Sequence, residues 1–128
     1  MNPKKPNRRG RSVKGPEAKI EQEIIDYLKV RDWFVQRLHG STFQAGMPDL
    51  FACCKMSKVG IVRLIEVKDP KRKGNVFTPA QLEMFPKICA NGGTVHVLTG
   101  ATKEEYDKLF EPSNWYQYLQ DFRKMYGQ

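Results

Sequence analysis

Residues 49–68 read DLFACCKMSKVGIVRLIEVK: two apolar, strand-like runs, Asp49 to Met56 and Ile61 to Lys68, joined by Ser57, Lys58, Val59 and Gly60. So short a connection predicts an antiparallel hairpin. Side chains alternate along a strand, so Val62, Leu64, Glu66 and Lys68 share one face. A solvated face would be polar along its whole length. Here the charges occupy only the C-terminal end, where the row is expected to emerge from a core. With a four-residue loop, Met56 pairs with Ile61, Phe51 with Glu66 and Asp49 with Lys68, and directly opposed residues lie about 5 Å apart on one face. Asp49, Glu66 and Lys68 are therefore expected to converge at the open end of the hairpin. A register slip of one residue would send Asp49 to the other face.

Two carboxylates brought together repel unless something offsets their charge. A hard divalent cation does so, and Mg²⁺ is commonly held by one or two carboxylates plus substrate phosphate. The plainer alternative is an exposed pair of Glu66 or Asp49 with Lys68, contributing almost nothing.

Around this hairpin the pattern is mixed α/β. Ile20, Ile24, Tyr27 and Leu28 recur at helical spacing from Pro16 to about Arg31. Trp33 to Leu38 reads as a short strand, and His39 to Met47, with Gly40, Ser41 and Gly46, as a loop. Lys71, Arg72, Lys73 and Gly74 form a basic loop. Thr78 opens a second helix, with Pro79 at its first position and Gln81 completing a capping box. Pro86 is expected to kink or shorten that helix. Asn91, Gly92 and Gly93 end it, Thr94 to Leu98 is a further strand, and Thr102 with Glu105 caps a short helix. Trp115, Tyr118, Leu119, Phe122 and Tyr126 then recur at helical spacing.

A chain of 128 residues is one domain's worth. No apolar run approaches the roughly 20 residues of a membrane span, and no apolar stretch follows the charged N-terminus as in a secretory signal. Cys53, Cys54 and Cys89, in no metal-binding spacing, read as buried reduced thiols of a cytoplasmic protein. The net charge is +8, and residues 1–15 hold six cations, Lys4, Lys5, Arg8, Arg9, Arg11 and Lys14, with no acid, leaving +2 for residues 16–128. The expected organisation is a flexible basic tail, 1–15, followed by a single domain, 16–128. Such an arm suits phosphate binding through counterion release, though a solubilising tail fits as well.

Gly46-Met47-Pro48-Asp49, Ile65-Glu66-Val67-Lys68 and Thr78-Pro79-Ala80-Gln81 together resemble the signature of PD-(D/E)XK nucleases. More narrowly they resemble the virus-type replication-repair nuclease (VRR-NUC) domain in its small stand-alone phage or bacterial form, over roughly Glu17 to Leu98. The resemblance implies a restriction-endonuclease-like αβββαβ core with a mixed central sheet, followed here by C-terminal helices. It also implies a metal-dependent endonuclease that hydrolyses DNA phosphodiesters by in-line attack of water. Asp49 and Glu66 would be metal ligands together with the Val67 carbonyl, and Lys68 the catalytic lysine. A glutamate of the first helix usually joins the metal: Glu17 and Glu21, one turn apart, both fit, whereas Glu23 lies round the helix toward solvent. Gln81 matches a glutamine that supports such sites, and its capping role can coexist with that one.

The expected cofactor is Mg²⁺, with Mn²⁺ able to substitute. Flanking carboxylates favour the ammonium form of Lys68, so Lys68 is expected to orient water and neutralise phosphate rather than accept the proton. Arg37, His39, Lys71, Arg72 and Lys73 are candidate DNA contacts, against the alternative of solvated or structural side chains. Stand-alone members suggest a homodimer cutting four-way (Holliday) junctions. The stripe Trp115, Tyr118, Phe122 and Tyr126 would either supply the interface or pack on its own core. Competing expectations are a nuclease for flaps, ends or linear duplex, an RNA-directed activity, and a non-catalytic nucleic-acid-binding domain.

Overall fold

A computed structural model of the chain describes residues 15–39, 45–56, 58–72 and 74–127. The expected basic tail, the centre of the His39–Met47 loop and Lys73 therefore lie outside the described residues, apart from Gly15, which opens the first helix. The elements are α1 (Gly15–Val30), β1 (Phe34–Arg37), β2 (Leu50–Met56), β3 (Val59–Val67), α2 (Pro79–Ala90), β4 (Val95–Leu98), α3 (Lys103–Asp107), a 3₁₀ turn at Lys108–Phe110, and α4 (Trp115–Tyr126). The strands form one sheet in the order β1-β2-β3-β4. Its first two pairings are antiparallel and β3–β4 is parallel, reached through α2 as a crossover. The order αβββαβ with added helices is the one expected, and the sheet is mixed.

Period-2 alternation gives the sheet two apolar faces, each covered by helix. On one face Leu50, Ala52, Ile65, Val67 and Leu98 pack with Ile24, Ile25 and Leu28 of α1 and with Leu109. On the other, Val95 and Val97 pack with Phe77, with Phe85 of α2 and with Trp115, Leu119 and Phe122 of α4. The C-terminal aromatic stripe thus packs on its own core, Trp115 lying against Phe85 and Phe77 at ring separations of 5.6 and 6.3 Å.

Three local expectations change. The hairpin turn is shorter: Met56 pairs with Val59 and Lys55 with Gly60, leaving only positions 57 and 58 between the strands. The whole register moves by two, so Leu50 meets Ile65 and the ladder, extended by one pair, sets Asp49 opposite Glu66 instead of Lys68. A slip of two preserves the face, which is why the expected cluster survives it. Second, α2 runs through Pro86 to Ala90 without being cut short. Its capping box forms in full, and the fully buried Phe85 anchors the turn before the proline. Third, the cysteines are unpaired, but half-buried instead of buried. At α3, Thr102 accepts from Glu105 N as expected, while the Glu105 carboxylate reaches Thr99 N and leaves that capping box half made.

Candidate active site

The C-terminal end of β3 is where both helical layers reach the edge of the sheet. Glu66 sits beside Val97 on the face covered by α2. It is 2% exposed and Lys68 5%, whereas Val62, at the start of the same row, is 53% exposed. The row therefore runs opposite to expectation: its apolar end faces solvent and its charges are enclosed. The segment leading into α2 encloses them, with Val76 and Phe77 buried and the Phe77 ring 5.3 Å from the Lys68 ammonium. Sequence reasoning passed over Phe77; its only signal was an aromatic residue directly before the helix-capping threonine.

Lys68 Nζ lies 3.1 Å from Glu66 Oε2. The same oxygen accepts from Gln81 Nε2 at 2.9 Å, while Gln81 Oε1 accepts from Thr78 N and Gln81 N donates to Thr78 Oγ1. The capping box expected of Gln81 forms, and the same side chain also bonds the Glu66 carboxylate. Glu66 Oε1 is buried and has no hydrogen-bond partner among the described residues. Across the ladder, Asp49 Oδ2 accepts from Val67 N at 2.7 Å. Its other oxygen, Oδ1, is 3.9 Å from His39 Nε2.

The electrostatics are those of buried acids whose charge Lys68 offsets only in part. Burial, then the negative charge of Glu66, pushes the Asp49 carboxyl up to about 8 despite the bond from Val67 N. Burial also raises the Glu66 carboxyl, against the pull of Lys68 and Gln81. An orphaned buried oxygen beside a second carboxylate with a raised proton affinity is the donor set a hard cation satisfies. The residues present therefore fit a divalent metal, which Asp49 and Glu66 would hold.

The two candidate glutamates of α1 reach this centre from different sides. Glu21, 2% exposed, accepts from Arg37 Nε at 2.7 Å and lies 3.0 Å from His39 Nε2. Burial alone would raise its carboxyl; the bonds from His39 and Arg37 outweigh that and hold it below the ordinary range. Ligand atoms of Glu21, His39 and Asp49 all fall within 4.8 Å of one another. Glu17 lies on the Glu66 side, accepting from Asp69 N at 3.3 Å and standing 3.5 Å from Arg72 Nη1. Glu23 is exposed, as expected.

Of the candidate DNA contacts, Arg37 and His39 are both engaged by Glu21, and Arg37 also by Gln22 at 2.6 Å. Arg72 borders the open cleft of about 830 Å³ that Glu17, His39, Asp49, Glu66, Lys68 and Gln81 also line. Lys71 is exposed nearby, its backbone N–H bonded to Asp69 Oδ1.

Gly46 holds the Asp49 loop against α2. Its φ is +94°, and a Cβ there would stand 2.6 Å from the Ala80 carbonyl oxygen, one residue before Gln81. Only glycine satisfies both the left-handed backbone and that close approach.

The VRR-NUC domain family matches residues 15–102, a span containing Asp49, Glu66, Lys68 and Gln81. Among solved structures, one described as a VRR_NUC domain superposes with a TM-score of 0.56, covering 73% of this chain and 92% of that one at 23% identity, a likeness of fold. No curated protein matches the chain. A family match across most of the described residues leads to one assignment: this chain belongs to the VRR-NUC family, nucleases of the PD-(D/E)XK type.

Proposed function

We propose that this chain is a Mg²⁺-dependent endonuclease, with Mn²⁺ able to substitute, that hydrolyses DNA phosphodiesters at branched structures such as four-way junctions. The observation that carries the proposal is the pairing of Asp49 with Glu66 at the strand end, Lys68 held 3.1 Å from Glu66 and one Glu66 oxygen left without a partner. When bound, the metal supplies charge neutralisation at the scissile phosphate and activates water. The chain's own residues do the rest. Gln81 and Lys68 both hold Glu66 Oε2, so Oε1, which has no partner among the described residues, would be the atom available to a metal. Val67 N–H fixes Asp49 Oδ2. Lys68, pinned between a carboxylate and the Phe77 ring, presents a positive charge to the phosphate and orients the attacking water. Arg72 on the cleft wall and exposed Lys71 beside it extend the basic surface toward the backbone that follows. The products carry 5′-phosphate and 3′-hydroxyl ends.

The branched substrate and the homodimer rest on a second feature. Phe34 and Val62 are 57% and 53% exposed on the sheet face that also carries Asp49 and Glu66, with half-buried Cys53 between them in register and half-buried Phe51 two residues before it on the same face. The part of this face that α2 and α4 leave uncovered suits self-association. Two active sites related by a two-fold axis in turn suit a symmetric junction. The three unpaired cysteines fit a reducing cytoplasm, that of a bacterium or a phage-infected cell. No helix among the described residues is long and apolar enough to cross a membrane.

The test is cleavage of a four-way junction, a flap and linear duplex in Mg²⁺, in Mn²⁺ and in chelator, with Asp49→Asn as the inactive reference. Junction cutting that needs the cation is expected. Equal cutting of every substrate overturns the junction preference, and cutting by Asp49→Asn or in chelator overturns the metal-dependent nuclease.

A further inference from the structure

His39 has no role in the chemistry above, yet its ring nitrogen points into the acid cluster. Nε2 lies 3.0 Å from Glu21 Oε1 and 3.9 Å from Asp49 Oδ1, and all three ligand atoms fall within 4.8 Å of one another. An octahedral ion with bonds near 2.1 Å holds neighbouring ligands about 3 Å apart and opposite ones about 4.2 Å apart. Both separations from the His39 nitrogen lie within or next to that range, so an ion requires little rearrangement.

The free atoms also match. Arg37 occupies Glu21 Oε2, at 2.7 Å. Oε1 is left to His39 alone. Asp49 Oδ2 is taken by Val67 N, which leaves Oδ1 on the His39 side. Independently of this trio, the buried Glu66 Oε1, on a residue lining the same cleft as His39 and Asp49, lacks a partner. Among the described residues, Arg37 pairs with Glu21 and Lys68 with Glu66, and no lysine or arginine forms an ion pair with Asp49, on which the charges of Glu66 and Glu21 converge. The other histidine, His96, is fully buried with Nε2 on the Glu111 carbonyl and takes no part.

We infer that Glu21, His39 and Asp49 form a cation position with one nitrogen and two oxygen ligands, adjoining the Asp49–Glu66 pair and selective for first-row transition metals such as Mn²⁺ over Mg²⁺. Imidazole suits transition metals, whereas Mg²⁺ is an ion of oxygen ligands and water. The inference rests on the metal-dependent reading of the cleft and adds to it a ligand and a metal preference. It also gives His39 a place at the ion instead of at the DNA.

The experiment uses the full chain loaded with Mn²⁺ and no DNA. Pulsed electron paramagnetic resonance reads nitrogen coupled to the ion, and calorimetry reads affinity for Mn²⁺ and Mg²⁺. A ¹⁴N coupling is expected, converting to ¹⁵N on histidine-selective labelling, a comparison that requires no mutation and so no question of folding. His39→Gln should abolish the coupling and weaken Mn²⁺ binding at least about tenfold, with Mg²⁺ binding changed far less. Mn²⁺ bound without histidine nitrogen coupling overturns the inference and leaves the Asp49–Glu66 site standing. Coupling that persists in His39→Gln also overturns it. Failure to bind any Mn²⁺ overturns both the inference and the metal-dependent function on which it rests.

Discussion

The β2–β3 hairpin places its side chains in opposite ways at its two ends. Where the strands reach the cleft, Glu66 and Lys68 are 2% and 5% exposed; toward the turn, Val59 and Val62 are 74% and 53% exposed. Enclosing charge costs free energy unless it is paired and hydrogen-bonded, and the cleft end is supplied with Gln81, Val67 N–H and Phe77 for that purpose. The turn end has only its backbone ladder and costs nothing to leave open. A chain that selected for stability alone would reverse the two. On the proposed function, the cleft is the end held together for chemistry and the turn end is apolar surface left open to a partner.

The largest expected effect that tests this contrast is at Lys68. Lys68→Ala should slow single-turnover cleavage by about a thousandfold or more while circular dichroism stays native. An active variant would remove the lysine from the chemistry. Next is the hinge between the Asp49 loop and α2. Gly46→Ala forces a left-handed φ of +94° on a residue whose Cβ meets the Ala80 carbonyl, and should cost about 2 kcal/mol or more in urea unfolding. An unchanged midpoint would mean that the loop does not rest on the helix.

The third test titrates the enclosed acids without metal. Asp49 holds its proton in the native state up to about pH 8, against an ordinary 3.8. Between those values the unfolded chain binds fewer protons than the folded one, so stability falls as pH rises, by up to about 1.4 kcal/mol per unit. Measured as the difference between the wild type and Asp49→Asn, the slope excludes His96, whose buried imidazole acts in the opposite direction. Saturating Mg²⁺ should flatten it. A wild type that gains stability relative to Asp49→Asn as pH rises in chelator would show that the acids are already compensated. The smallest effect belongs to the turn end: Val62→Thr should change the stability of the protomer by no more than about 0.5 kcal/mol, read at protein concentrations too low for self-association, and leave the chemical step intact. A large loss of stability there, varying with protein concentration, would identify the uncovered face as a dimer contact.

Much of this was legible in the sequence because it is local. The helix of α1, the capping box at Thr78 and Gln81, and the shared face of Asp49 and Glu66 follow from spacing alone. The register was misplaced by two because Val59 and Gly60 resemble a turn, glycine being depleted in strands, whereas in the fold they complete two further pairs. Which end of the row is enclosed depends on Phe77, Val76 and α2 coming over it, contacts that no period in the hairpin encodes. The meeting of Glu21 with His39 is of the same kind: it joins a helix to the end of a strand 18 residues on, and spacing shows each as a polar residue without naming its partner.

The most direct measurement is the anomalous scattering of Mn²⁺ in crystals of the metal-loaded protein. A peak is predicted within about 2.2 Å of one carboxylate oxygen each of Asp49 and Glu66, with Lys68 on the side of the incoming phosphate. Crystals of a cleavage-competent protein with Mn²⁺ bound elsewhere, and none between those two side chains, would contradict it.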